Sequence, residues 1–448
     1  MGIKKTLDRA QWGSRIGFIL AAAGSSVGLG GIWKFPYMAA RNGGGIFIVI
    51  YLLISAILGI ALMVAEITMG ALSRKGPVGA YERLGGKHWK PIGYISVFCS
   101  FIILSFYSVV GGWTIAYFVK FFQGILLISD AEALTHIFKN FIADPYEPLI
   151  YHGIFMLATA CVIIAGIQKG IERACKYLMA MLLLLIFILI ARVLTLPGAI
   201  EGIKLFLEPD ITKITPDMLI DVTGMVFFSM SLGMGIMIAY GSYVGDSFSI
   251  QKTAVSVVSL TTSISILCGL MILPAITVFG IDPQTGPGLT FISMPAVFSQ
   301  MKGGYCFGLF FFFLLFVAAI SSSVSLMEPV VGFFVDEYHT NRIVTSVVMS
   351  VLMFILGIAA SLSFGIGQEI TFWGRNFFDF LDFISSNLMM PFCAIAVSLL
   401  IGWKIWPIFT KRIVGERKKF PFWLQMMKPF FRFVIPIIIA IVLLQNLL

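Results

Sequence analysis

Gly24-Ser-Ser-Val-Gly-Leu-Gly-Gly31 lies inside the first apolar segment of the chain and packs four glycines into eight residues. Glycine is the poorest helix former after proline, so a helix carrying this run is expected to break there. At membrane depth a break frees backbone N–H and C=O groups that hydrocarbon cannot satisfy; it is tolerated where the bare backbone faces protein, ions or a polar ligand. A second interruption, Ser229-Met-Ser-Leu-Gly-Met-Gly235, falls in the sixth apolar segment. Two broken helices at corresponding places in two halves are the mark of a secondary transporter with its site near the bilayer midplane.

The rest of the sequence frames that reading. The chain is 59% hydrophobic and 12% charged, with a mean hydropathy of +0.97, far from a soluble composition. Eleven spans are expected, at 13–40, 45–73, 91–125, 151–168, 174–195, 217–246, 251–280, 304–337, 342–363, 375–402 and 429–447. Several exceed the ~20 residues a bilayer requires, so tilted or broken helices are anticipated. The expected fold is an all-α membrane protein with no separate soluble domain. Residues 1–195 form a first repeat of five helices, 217–402 a second, and 429–447 one additional helix. Five spans per half force the halves into opposite topology, an inverted repeat. The segments 126–150 and 281–303 read either as caps over an access path or as ordinary loops.

Lysine and arginine set the orientation. Lys4, Lys5, Arg9 and Arg15 precede or open span 1, and Arg74, Lys75, Arg83, Lys87 and Lys90 follow span 2. Lys404, Lys411, Arg412, Arg417, Lys418, Lys419 and Lys428 lie between spans 10 and 11. A cytoplasmic N-terminus and an extracellular C-terminus put most of the 31 basic residues inside, in the plasma membrane of the cell and with no cleavable signal peptide. The net charge of +9 then reports topology and contact with anionic lipid; scattered over short loops, it is no nucleic-acid footprint. The six cysteines form no CxxC pair, the four histidines are dispersed, and HExxH and GxSxG are missing. The chain therefore does not read as an enzyme.

Three stretches carry a family resemblance. Trp12-Gly-Ser-Arg-Ile-Gly followed by GSSVGLGGIWKFPYMAARNGGG (Gly24 to Gly45) resembles helix 1 of the neurotransmitter:sodium symporter family. FFSMSLGMGIMIAYGSY (Phe227–Tyr243) resembles its helix 6, and LLFVAAISSSVSLMEP (Leu314–Pro329) its helix 8. The likeness spans essentially the whole chain and is closest to the bacterial eleven-helix amino-acid branch. The broken-helix rule was drawn partly from this family, so rule and resemblance are not independent.

The resemblance implies two sodium sites of unequal quality. The second would use the carbonyls of Gly24, Val27 and Ala318 and the hydroxyls of Ser321 and Ser322, an all-oxygen set suited to a hard cation. On residue type alone, Ser321, Ser322 and Ser323 also read as small groups packing helices. The first site would use the carbonyl of Ser26 and the hydroxyl of Ser229, but Gly31 and Thr261 stand where the family places two asparagines. It is expected to be weak, water-filled or absent. Ser265 matches a serine of chloride-dependent members, yet Met225 replaces a polar neighbour, which leaves Tyr51 and Ser229 as ligands and argues against chloride dependence.

By the same resemblance, the backbone at Leu29 and Gly30 and the Tyr107 hydroxyl would cradle a carboxylate. Gly28 replaces the aspartate of amine carriers and favours an amino acid. Ser25, Ile103, Phe228, Ser231, Met234, Ser322 and Leu326 would line a pocket suited to a neutral, hydrophobic substrate; each, taken singly, also reads as core. Lys34 and Asp382 fall at the family's outer gate and Arg9 with Asp336 at its cytoplasmic gate, flanked by Trp12 and Tyr243. Glu66 reads as a structural carboxylate or a proton carrier, and Glu328 as either. The expected function is a sodium-coupled importer of neutral amino acids. The alternatives are a proton-coupled or single-sodium carrier of a small zwitterion such as taurine or betaine, and a non-transporting sensor or channel.

Overall fold

The computed structural model describes residues 10–246, 248–281, 287–415 and 422–447, and among these the chain is helical with no named strand. The spanning elements are α1 (Arg15–Ser26), α2 (Gly30–Arg41), α3 (Gly45–Ser73), α4 (Lys87–Phe122), α5 (Glu147–Ile164) and α6 (Ile167–Leu194). They continue with α7 (Pro216–Ser229), α8 (Ile236–Gly241), α9 (Ile250–Val278), α10 (Gly304–Tyr338), α11 (Arg342–Leu362), α12 (Phe377–Val414) and α13 (Met426–Gln445). Nine described helices are long and apolar enough to cross a bilayer, and α1 with α2 makes a tenth, bent by 61°. The expected span 6 is divided between α7 and α8.

The breaks fall where the glycine runs predict. α1 starts on Ser14, whose hydroxyl accepts from the Gly17 N–H, a normal N-cap. It ends at Val27, with φ −88° and ψ 57°. Between α7 and α8 the chain leaves helical geometry through Ser231 (φ 52°), Gly233 (φ 79°) and Gly235 (φ 76°). Two of these positions are glycine, which takes positive φ freely; Ser231 is not, so its strain must be held in place by its neighbours.

Those neighbours are long-range. The Gly233 N–H donates to Glu66 Oε1 at 2.7 Å, and the Ser100 hydroxyl donates to the Met234 carbonyl at 2.7 Å. α3 can carry Glu66 this deep because α3 and α8 touch through glycine: a Cβ at Gly70 would collide with the Ile238 carbonyl, and one at Gly241 would sit 2.5 Å from the Ile67 carbonyl. Close backbone approach of this kind replaces the hydrophobic drive that lipid does not provide.

Two boundaries differ from expectation. The segment expected as a loop between spans 4 and 5 is largely helical, with α6 starting at Ile167. α12 runs on to Val414 rather than ending near residue 402, because Lys404 donates to the Gly85 carbonyl and anchors a polar helical turn. Over 126–150 and 281–303 lie helices Ala131–Ala143 and Leu289–Gln300. Phe291 there packs against Trp113, Tyr117, Phe138 and Phe312. Residues 282–286 lie outside the described residues.

Candidate ion and substrate site

At the α1 break, oxygens converge from two helices. The Ser321 hydroxyl lies 2.9 Å from both the Gly24 and Ala318 carbonyls. That of Ser322 lies 3.1 Å from the Gly24 carbonyl and 2.9 Å from that of Ser25. Four of the five oxygens expected at the second sodium site thus meet, with Val27 at the helix end beside them. Ser323 points elsewhere, bonding the Thr159 hydroxyl at 2.8 Å and the Ile320 carbonyl. Gly24 is needed for the approach: its Cβ would fall 3.2 Å from Ser321 Cβ and 3.3 Å from Met179 Sδ.

The expected first site is poorer. The Ser229 hydroxyl is paired with Tyr51 Oη at 2.9 Å, and the Ser26 hydroxyl donates to Ala22. Thr261 is fully buried and its hydroxyl has no hydrogen-bond partner among the described residues. A Cβ at Gly31 would meet only Ser265 Oγ, at 3.5 Å, so there is room at the position where an asparagine is missing. Buried polar atoms are ordinarily paired, and an orphan hydroxyl next to free space is where an ordered water fits.

Beside this cluster of oxygens lies a cavity of about 30 Å³. It brings together Ser25, Gly28, Gly30, Ile103, Tyr107, Phe228, Ser231, Met234, Ser322 and Leu326, with Ser26 and Gly31 added. Leu29 joins it through the backbone, its N–H donating to Tyr107 Oη at 3.2 Å. Ser231 Oγ lies 3.0 Å from Ser25 Oγ and 3.1 Å from the Ser25 carbonyl, tying the two breaks to each other. A Cβ on Gly28 would lie 2.7 Å from Ser322 Oγ and 3.0 Å from Tyr107 Oη, and one on Gly30 would strike the Phe228 ring. These two glycines keep side chains off the backbone at the break. The start of α2 also presents the positive end of a helix dipole, a setting for a carboxylate. The cavity is contracted, so an amino-acid side chain requires Phe228, the partly exposed wall, or the unbranched Met234 to move.

The residues expected at the two ends are arranged unequally. At one end, Trp12 Nε1 donates to the Tyr240 carbonyl at 3.0 Å and the Trp12 N–H to the Tyr243 carbonyl at 3.2 Å. Asp336 accepts from the Gly76 N–H, and Arg9 lies outside the described residues. At the other end, the Lys34 ammonium stands 5.1 Å from the centroid of the Phe228 ring, and Asp382 accepts from Ser386 Oγ at 2.7 Å. Among the described residues no ion pair joins Lys34 to Asp382, because each charge has found a different neighbour.

Two long-range partnerships escape the sequence reading, which names Glu328 without its partners. The fully buried Glu328 accepts from Tyr243 Oη at 2.8 Å and is ion-paired with Arg342, whose Nε donates to the Ile163 carbonyl. The pair clamps α10, α11 and α5 to the end of the helix 6 segment. Glu172 on α6 accepts from the Gly13 N–H at 2.7 Å and the Ser14 hydroxyl at 2.9 Å, capping the start of α1 from a distant helix. Neither has a local signal beyond an isolated charge near a span end.

A helical bundle with two broken helices, a cluster of converging oxygens at one break and an adjacent pocket has the architecture of a membrane transporter of the secondary, ion-coupled class. Comparison with known proteins gives the family. The chain matches the Sodium:neurotransmitter symporter family over residues 9–137 and 148–448. It is 37% identical over 444 residues to the sodium-dependent transporter YhdH of Bacillus subtilis (strain 168), covering 97% of each chain. With a sodium-dependent transporter of Haemophilus influenzae it shares 33% over 453 residues and 98% of each chain. Its fold matches the crystal structure of MhsT in complex with L-phenylalanine with a TM-score of 0.89 and 40% identity, covering 98% of this chain and 100% of that one. The chain belongs to the sodium:neurotransmitter symporter family: it is a sodium-dependent, multi-pass membrane symporter with the family's inverted-repeat fold, and not an enzyme.

Proposed function

We propose that this symporter imports neutral, hydrophobic amino acids by alternating access, driven by sodium bound at the second site alone. The observation that carries the proposal is the convergence of Ser321 and Ser322 on the Gly24 carbonyl, one turn from the Leu29 N–H and the Tyr107 hydroxyl. Sodium there holds α10 to α1, and the same stretch of backbone receives the substrate carboxylate. Ion and substrate therefore favour one closed conformation, which is coupling in the thermodynamic sense. The L-phenylalanine complex of the 40% identical MhsT supports the substrate class. The loss of carboxamides at Gly31 and Thr261 supports a single sodium, and Met225 beside Tyr51 and Ser229 supports transport without chloride.

The membrane arrangement we assign is eleven spans, with repeats over 1–195 and 217–402 and helix 429–447 added. The N-terminus faces the cytoplasm and the C-terminus the exterior at the plasma membrane. Lys34 with Asp382 closes the outer path; Arg9 with Asp336, beside Trp12 and Tyr243, closes the inner one. A smaller zwitterion of the taurine or betaine kind is the second reading, favoured by the 30 Å³ cavity. Uptake of labelled amino acids into proteoliposomes, with and without an inward sodium gradient, separates the two. Accumulation of leucine- or phenylalanine-like substrates is expected, and accumulation of taurine or betaine in their place overturns the assignment.

A further inference from the structure

The outer gate contains a carboxylate that the pairing of Lys34 with Asp382 does not use. A second cavity, of about 160 Å³, adjoins the substrate pocket through Phe228, and its walls include Lys34, Asp221, Ser386 and Asn387. Asp382 lies just behind this wall, held by Ser386. Asp221 is exposed to the cavity. It shares a face of α7 with Met225 and Phe228, at i, i+4 and i+7, all three among the cavity's walls. The cations acting on it are Arg41, the stronger, and Lys34, both of α2; Asp217, one turn away, repels it, and the Asn42 carboxamide lies beside it. Arg41 is engaged with the Tyr37 hydroxyl at 3.0 Å. Lys34 forms no ion pair among the described residues and rests over Phe228, in the wall of the cavity that Asp221 also lines.

We propose that Asp221 is the partner of Lys34 while the outer path is open, so that closing the gate exchanges one carboxylate for another, Asp221 on α7 for Asp382 on α12. This rests on the reading of Lys34 and Asp382 as a gate. Lysine suits such an exchange. A compact ammonium on a flexible four-carbon stem moves between single carboxylates, whereas a guanidinium fork holds one of them in two-pronged geometry. The face of Phe228 supplies an attractive station for the cation. Because the charge is never left without a partner, the exchange has a lower barrier than breaking one pair outright. Asp221 is thus a positioning residue that sets the balance between open and closed gate.

The test is a pair of like substitutions with opposite effects. A reporter cysteine at Ile220, with Cys161 and Cys306 replaced by serine, is labelled with a membrane-impermeant thiol reagent from the outer side, in sodium without substrate. Asp382→Asn is expected to raise the labelling rate and Asp221→Asn to lower it, each by roughly two- to fivefold, the range of a solvent-exposed ion pair. Asp221→Glu restores the original rate and shows that the loss is one of charge, not of folding. If Asp382→Asn leaves labelling unchanged, the gate itself is overturned. If Asp382→Asn opens the path but Asp221→Asn has no effect or acts in the same direction, the gate stands and the exchange is overturned.

Discussion

Replacing Ser321 and Ser322 together by alanine removes two of the five oxygens assigned to sodium and leaves residues small enough to keep α10 against α1. By analogy with hydrogen bonds to charged groups, each lost oxygen costs about 1.5–3 kcal/mol, so the pair weakens sodium by about 3–6 kcal/mol, or roughly 10²- to 10⁴-fold. The structural cost is smaller. The Gly24 carbonyl loses both hydroxyl donors, a penalty of about 1–3 kcal/mol for a buried acceptor. The variant should therefore fold in detergent with a modestly lowered melting temperature. A sodium titration of labelled-substrate binding reads the affinity directly. Ser323→Ala is the control, since its hydroxyl faces Thr159 and its loss should leave sodium affinity unchanged. A double-alanine variant that binds sodium within about threefold of the parent would reduce these hydroxyls to helix packing and refute the site.

Three further outcomes follow from the same geometry. Gly31→Asn with Thr261→Asn restores the missing carboxamides where only Ser265 Oγ comes near; the Hill coefficient for sodium should rise from about one towards two, by the oxygen-count argument for hard cations, and an unchanged coefficient with intact binding would contradict it. Gly30→Ala forces Phe228 off the pocket and should weaken substrate binding at least about tenfold; unchanged affinity would show that Phe228 does not close over the substrate. Arg342→Gln leaves Glu328 buried without its cation, at about 3–5 kcal/mol, and adding Glu328→Gln should recover most of that in a thermal-unfolding assay, whereas equal losses in both variants would show that the pair is not the cause.

Much of this was legible in the sequence because membrane helices advertise themselves through hydropathy and glycine. The Gly24–Gly31 run located the α1 break, and the family likeness chose Ser321 and Ser322 from a triplet that composition alone leaves undivided. A helix turns about 100° per residue, which is why Ser323 faces α5 instead. The limits are equally physical. α12 continues past residue 402 in a turn that Lys404 ties to the Gly85 carbonyl, a contact that hydropathy does not register. Arg342 reads locally as a topological charge, and only folding brings it to Glu328. Glu172 caps α1 from 158 residues' separation, with nothing nearby in sequence to announce it. The relation of Lys34 to Asp221 was hidden likewise, since it depends on how α2 and α7 lean towards one cavity.

The claim that one sodium drives one amino acid is tested most directly by the transport reversal potential in proteoliposomes. The membrane voltage at which net flux of a labelled neutral amino acid vanishes is measured across a series of imposed sodium and substrate gradients. A coupling ratio of about one sodium per substrate is expected, the number of complete oxygen sites for a hard cation. A ratio of two, or a flux that follows the proton gradient and ignores sodium, would contradict it.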